Sequence, residues 1–372
     1  MEFNLSEETR LLKESARRFL RRECTSFPVR EQLKTDDGFS PDIWMGMADL
    51  GWPGLIFEEK YGGFEGDFFD LFILMEEIGR AMLPGPFFTS VILSGLIIQE
   101  SGNEELKERF LPSIISGEKI FTLAYLNEAG RYVSGAPGLK AVKTAENEYE
   151  ISGTSLLVPF AHVADGILAP VATEDGDSII IFNPSEEGLT LTPLNILSGT
   201  KAFALTLDNV KREVFDIAGP AGNAREILQK VFLQAMVLKC GEMLGGLEQT
   251  LDMTVEYMKE RVQFGRPLGA LQVVQHYCAD MATYLETSRH LAYQAAWLMS
   301  LGQECRKEAA MAKAWLSDAY KKCTSIAQQL HGAIGFTEEL DLNLYYKHAK
   351  ESDLAFGDSW VHRQTVAEEM GL

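Results

Sequence analysis

The hydrophobic spacing of this chain changes period twice along its 372 residues, and that change constrains the fold more than any single motif. Residues 1–120 read as helices. Ser6 caps a stretch in which Leu11, Leu12, Ala16 and Phe19-Leu20 recur at helical spacing, with Glu7 and Glu8 in its first turn. Ile43 to Leu50 predicts a short helix ended by Gly51. Asp67 to Met82 is nearly all apolar and predicts a buried helix stopped by Pro84, and Phe88 to Glu100 and Glu104 to Ile115 complete the set. Residues 121–217 switch to period two, with turn signals between short runs. Phe121 to Leu126 is the first strand, and Lys140 to Thr144 and Tyr149 to Ser152 flank a polar turn at Glu146-Asn147. Asp175-Gly176 between Val171 to Thr173 and Ser178 to Phe182 is a hairpin signal, and Leu189 to Leu194 and Ala202 to Leu207 are further strands. Residues 222–372 return to long helices: Ala224 to Arg261, Leu271 to Leu301, Glu304 to Leu330, and one or two more within 341–369. Val274, Cys278, Met281, Leu285 and Leu291 mark one stripe of the second. The expected fold is α+β and multi-domain: an N-terminal helical domain, a middle antiparallel β-barrel domain, and a C-terminal four-helix bundle.

Charge narrows the partners. With 54 acidic against 34 basic residues the formal charge is −20, a field that repels nucleic acid and anionic membrane surfaces. An anionic ligand must therefore be held by a local cluster of donors. The first residues lack the basic start and apolar run of a signal peptide, and every apolar run is too short or too charged to span a membrane. Cys24, Cys240, Cys278, Cys305 and Cys323 are scattered and odd in number, which predicts free thiols in a reducing cytoplasm. His276, His290 and His331 have no second ligand at metal spacing, so no metal is expected.

Two segments carry chemistry. Arg261-Val262-Gln263-Phe264-Gly265, continuing through Arg266-Pro267-Leu268-Gly269, lies in the turn between two long helices. An arginine there offers a planar fork of donors suited to a diphosphate, with a flat apolar ring beside it. Gln329-Leu330-His331-Gly332-Ala333-Ile334-Gly335-Phe336 closes a later helix, and its two glycines end the helix and admit a ligand to the main chain.

In this order and on these helices, the two segments resemble the acyl-CoA dehydrogenase family. Leu50 to Leu55 and Glu58 to Gly63 look like its N-terminal signature, and Ile151-Ser152-Gly153-Thr154 with Ala164-Asp165 resembles its β-domain hairpin. The resemblance implies α,β-dehydrogenation of an acyl-CoA with FAD, in a homo- or hetero-tetramer with a related subunit, with an electron-transfer flavoprotein as acceptor. It implies further that Arg261, Gln263, Phe264, Gln329, Gly332 and Gly335 bind the cofactor of a neighbouring chain.

The same comparison shows departures. The family's catalytic glutamate falls at Phe356 in Ala355-Phe356-Gly357-Asp358, and its alternative position on the preceding bundle helix falls at Ala235. Neither side chain accepts a proton. The chain's own flavin strand reads Ser155-Leu156-Leu157-Val158-Pro159, and the stretch that meets the flavin is reduced to Asn127-Glu128-Ala129-Gly130-Arg131. Three expectations follow. The first two are a partner subunit that lacks the base, or a self-sufficient enzyme with a relocated base, Asp358 first and Glu339 behind it. A non-enzymatic structural subunit is the third.

Overall fold

The computed structural model describes residues 5–130, 137–145, 148–174, 176–213 and 223–372. Among the described residues six α-helices come first: α1 (Glu7–Ser26), α2 (Val29–Lys34), α3 (Pro41–Asp49), α4 (Phe68–Ala81), α5 (Leu96–Glu100) and α6 (Glu104–Ile115). Seven strands follow: β1 (Phe121–Leu123), β2 (Leu139–Ala145), β3 (Glu148–Pro159), β4 (Gly166–Thr173), β5 (Gly176–Phe182), β6 (Leu189–Leu194) and β7 (Ala202–Glu213). The long helices close the chain: α7 (Ala224–Glu260), α8 (Gln272–Ser300), α9 (Arg306–His331), α10 (Leu342–Leu354) and α11 (Ser359–Glu369). The order is an N-terminal helical domain, a middle β domain and a C-terminal helical domain. By contacts the chain divides into two compact units, Met1–Phe27 with Asp67–Leu83 and Met236–Leu372, and Pro28–Gly66 with Pro84–Ala235.

In the second of these units the sheet runs β1-β4-β2-β3-β7-β6, with β5 on the other edge of β4. Most pairs are antiparallel, including the predicted β4–β5 hairpin, which closes at Thr173↔Gly176. Asp175 of that turn lies outside the described residues, as do Glu146-Asn147 and Arg131. Two pairings are parallel. β1 takes the start of one edge of β4 (Phe121↔Gly166) and β2 takes its end (Leu139↔Val171). Alternation tells which face of a strand is buried but not which way its neighbour runs, so the sequence pattern missed them. Leu139, Ile151, Val158, Ile167, Phe182 and Leu205 form the sheet's buried face. The helix expected over 88–100 starts as a π-helix, Phe88–Gly95, before α5. Ser94 donates its hydroxyl to the Thr89 carbonyl five residues back, and a Cβ at Gly95 would meet the Phe57 ring at 2.6 Å. α2, at six residues, is too short to show a period and was not foreseen.

In the other unit, Ser6 accepts the Thr9 N–H as the predicted cap of α1, and Asp67 caps α4. α4 ends on Met82 in the left-handed region, φ 52°, two residues before Pro84. α4 and α7 touch backbone to backbone through glycine. A Cβ on Gly245 would stand 1.8 Å from the Glu76 carbonyl oxygen, and one on Gly79 would stand 2.0 Å from that of Glu242. Two carboxylates of α4 are fully buried, which costs several kcal/mol unless each is paired. Glu76 accepts from Lys13 (2.7 Å), Arg289 (3.0 Å) and the Tyr293 hydroxyl (2.8 Å), and Glu77 accepts two N–H groups of Arg17. These pairs fix α1, α4 and α8 to one another.

Candidate functional site

α7 ends where Arg261 still donates its N–H to the Tyr257 carbonyl at 2.9 Å. The chain then makes a minimal hairpin, β8 (Val262–Gln263) against β9 (Arg266–Pro267). Its two tip residues, Phe264 and Gly265, both have positive φ, 54° and 75°. That backbone suits Asn-Gly or Gly-Gly, and a phenylalanine in it costs about 1 kcal/mol. The ring is 86% exposed, so burial does not offset the cost. Strain kept at an exposed aromatic points to a role outside the fold. Leu268 donates to the Arg261 carbonyl at 2.8 Å and ties the hairpin back to the helix. The Arg261 guanidinium is exposed and, among the described residues, makes no hydrogen bond or ion pair. Gln263 is exposed beside it.

α9 ends at His331, and Gly332 turns the chain at φ 67°, ψ −141°, its N–H returning to the last turn of the helix. The two glycines serve differently. A Cβ on Gly332 would meet nothing within 4 Å, leaving the main chain open to approach, whereas one on Gly335 would stand 2.8 Å from the Gln328 carbonyl. Gly335 is thus needed for the turn to pack on its own helix. Gln329, Ile334 and Phe336 around them are exposed.

Arg261 and the glycine turn meet through two residues the motif reading did not assign. The Tyr257 and His331 rings stack with centroids 4.4 Å apart and planes 19° from parallel. Tyr257 is one helical turn before Arg261, and His331 adjoins Gly332. The His331 Nδ1–H donates to the Ala327 carbonyl at 2.8 Å, and burial pushes the pKa of its imidazole down. A neutral stacked ring therefore links the two helix ends. The spacing of Tyr257 from Arg261 was visible in the sequence; its contact with His331 was not.

The two positions expected for a base are apolar and buried. Ala235 is fully buried on α7, and Phe356 is 5% exposed, in the turn between α10 and α11, at φ 57°. Asp358 is the N-cap of α11: its Oδ1 accepts the N–H groups of Trp360 (3.0 Å) and Val361 (2.9 Å). Glu339 is exposed on the segment leading into α10.

On the strand compared with the family's flavin contact, the Ser155 hydroxyl and the Pro159 carbonyl are already engaged. Ser155 donates to the Leu126 carbonyl (2.9 Å) and Thr122 to the Pro159 carbonyl (2.7 Å). Leu156 donates its N–H to the same Leu126 carbonyl, and Leu157, with φ 53°, is exposed. Asn127 turns its side chain back onto the Ala129 N–H. Among the described residues, no group of three His, Cys, Asp or Glu side chains is placed to hold a metal ion, and no helix is long and apolar enough to cross a membrane.

Comparison with known proteins bears on the whole chain. Residues 6–118 match the model of the acyl-CoA dehydrogenase N-terminal domain, and residues 210–371 match that of the C-terminal domain. Acryloyl-CoA reductase (NADH) of Anaerotignum propionicum is 27% identical over 380 residues, covering 100% of this chain and 96% of that protein. Butyryl-CoA dehydrogenase from Megasphaera elsdenii superposes with a TM-score of 0.91 at 25% identity, over 100% of both chains. A variant of the Tcur3481-Tcur3483 steroid ACAD superposes with a TM-score of 0.87 at 28% identity, over 98% of each.

Proposed function

The chain belongs to the acyl-CoA dehydrogenase family, and we propose that within it this chain is a base-lacking partner subunit of a heteromeric enzyme that dehydrogenates an acyl-CoA between its α and β carbons. The family consists of FAD-dependent oxidoreductases acting on CH–CH bonds. When bound, FAD accepts the β-hydrogen as a hydride.

The residues of the hairpin and the glycine turn fit a dinucleotide. Arg261 is a planar cation with no partner among the described residues of an acidic protein and would hold the diphosphate by charged hydrogen bonds, each worth about 1.5–3 kcal/mol. Phe264 offers an exposed ring to pack on the cofactor, and Gln329 and Gly332 leave side-chain and main-chain groups accessible to its ADP half, while Gly335 keeps the turn compact.

One contrast carries the reading. In the half-site that would serve a neighbour, Arg261, Phe264 and Gln329 are exposed, with Arg261 free of partners among the described residues, while both positions for a base are buried and apolar. Removing an α-proton requires a positioned acceptor. Phe356 and Ala235 offer none, and Asp358 commits an oxygen to two backbone amides. On the chain's own flavin strand the Ser155 hydroxyl is likewise turned onto a backbone carbonyl, that of Leu126, and the Pro159 carbonyl is taken by Thr122. A steroid ACAD whose name joins two designations, Tcur3481 and Tcur3483, supports an assembly of unlike chains. The partners of this reading are an acyl-CoA substrate, a related subunit carrying the base, and an electron-transfer flavoprotein as acceptor.

The absorbance spectrum of the purified chain tests it. Alone, the chain should be nearly colourless and should not turn over acyl-CoAs; co-expressed with a catalytic family member, it should retain flavin. About one FAD per chain with acyl-CoA turnover in isolation would mean a self-sufficient enzyme, with Asp358→Asn the first variant to examine. Absence of flavin under every pairing would mean a structural subunit.

A further inference from the structure

A fully buried lysine with no carboxylate in ion-pair contact among the described residues lies beneath the turn that bears Phe356. Lys313, on α9, donates from Nζ to the carbonyls of Gly357 (2.8 Å) and Asp353 (3.0 Å) and lies 3.2 Å from the Ser317 hydroxyl. The Asp353 carboxylate is turned away, onto Lys321 at 2.6 Å. A buried ammonium is costly unless oxygen atoms replace its water. Here they come from the last turn of α10 and the residue after Phe356, where helix carbonyls lack partners and the helix dipole is negative. The neighbouring carbonyl is taken by a second buried group: the His362 ring, on α11, meets the Phe356 oxygen through Nε2 at 3.0 Å. The backbone between these anchors is one that a phenylalanine does not adopt freely, with φ 57° at Phe356 followed by 101° at Gly357.

We propose that Lys313 and His362 are positioning residues that clamp the turn Ala355–Asp358, so that position 356 keeps a fixed backbone orientation although it carries a phenyl ring in place of a base. The proposal rests on the reading of Phe356 as the family's base position. It assigns the backbone orientation of the turn to side chains on α9 and α11. Burial pushes the Lys313 ammonium down to about 8, which still leaves it charged at neutral pH, and burial and then Lys313 push His362 down to about 4, which keeps the imidazole neutral with one N–H to donate.

Hydrogen exchange of the intact chain, read peptide by peptide, tests the clamp. In Lys313→Met the amides of 355–362 should exchange about tenfold faster, the loss of roughly one charge-assisted hydrogen bond, while those of α8 change less than twofold. His362→Leu should loosen the same window, and His362→Gln, which retains an N–H donor, should restore its protection to within about twofold. An increase spread evenly over α8, α9 and α10 would make Lys313 an ordinary core residue and overturn the proposal. Should Lys313→Met fail to fold, the His362 pair decides: equal exchange in the Leu and Gln variants overturns it. Flavin content, measured separately, reports on the partner-subunit reading and leaves the clamp unaffected.

Discussion

Arg261 and Phe264 stand three residues apart on one hairpin, and their side chains contribute little to the fold that carries them. The Arg261 guanidinium has no partner among the described residues, so Arg261→Ala should leave the melting temperature of the flavin-free chain within about 1 °C. In the assembled enzyme the same change should weaken flavin retention by roughly 10- to 100-fold, the loss of about 1.5–3 kcal/mol of charged hydrogen bonding. Flavin titration of the complex measures it, and an unchanged affinity would remove Arg261 from the site. For Phe264 the two effects should have opposite signs. Asparagine tolerates the left-handed backbone that phenylalanine resists, so Phe264→Asn should stabilise the chain by about 0.5–1 kcal/mol in a urea titration while loosening the flavin. Both residues were legible as a motif, because an Arg-x-x-Phe-Gly turn between long helices is local. Tyr257 and His331 were not, because what matters in them is a ring stack between residues 74 positions apart (331 − 257).

Helices with a strong period were the most legible part of the fold. Ser6, Asp67 and the apolar run after it placed α1 and α4 closely, since a cap followed by helical spacing is encoded within a few residues. What joins those helices was not encoded locally. Gly245 and Gly79 are places where α4 and α7 run backbone against backbone. Gly245→Ala inserts a methyl group 1.8 Å from the Glu76 carbonyl, a clash with main chain that no rotamer relieves. It should cost about 2–4 kcal/mol despite alanine's better helix propensity, read as a lower urea midpoint at constant slope. A neutral or stabilising result would show that the two helices can separate without loss. In the β zone the hairpin at Gly176 was legible from its turn, whereas the parallel docking of β1 and β2 on β4 depends on partners distant in sequence.

For the molecule as a whole, acid acts in two opposing ways. The formal charge of −20 falls toward zero near the sequence pI of about 4.8, which relieves self-repulsion and favours the compact state. Specific buried groups act against it, in two windows. His362 has its pKa lowered to about 4, first by burial and then by the Lys313 ammonium, with the Phe356 and Gly357 carbonyls and the Asp358 carboxylate acting in the other direction. The unfolded chain, with an ordinary imidazole near 6.5, binds that proton first, so stability is fully present above 6.5 and falls as pH drops toward 4. Glu242 is held at about 2: burial opposes its ionisation, and Lys239 and His348, the latter at 2.7 Å, more than offset that. Its contribution is present above its ordinary value of 4.5 and is lost between there and 2. Urea midpoints measured from pH 7 to 4 should therefore fall first through the His362 window, by roughly 2–3 kcal/mol less whatever the easing of charge returns. His362→Gln cannot take up the proton in either state and should flatten that leg while leaving the steeper loss below pH 4.5 in place. A variant whose curve falls in parallel with the wild type between 6.5 and 4 would show that the acid sensitivity arises elsewhere.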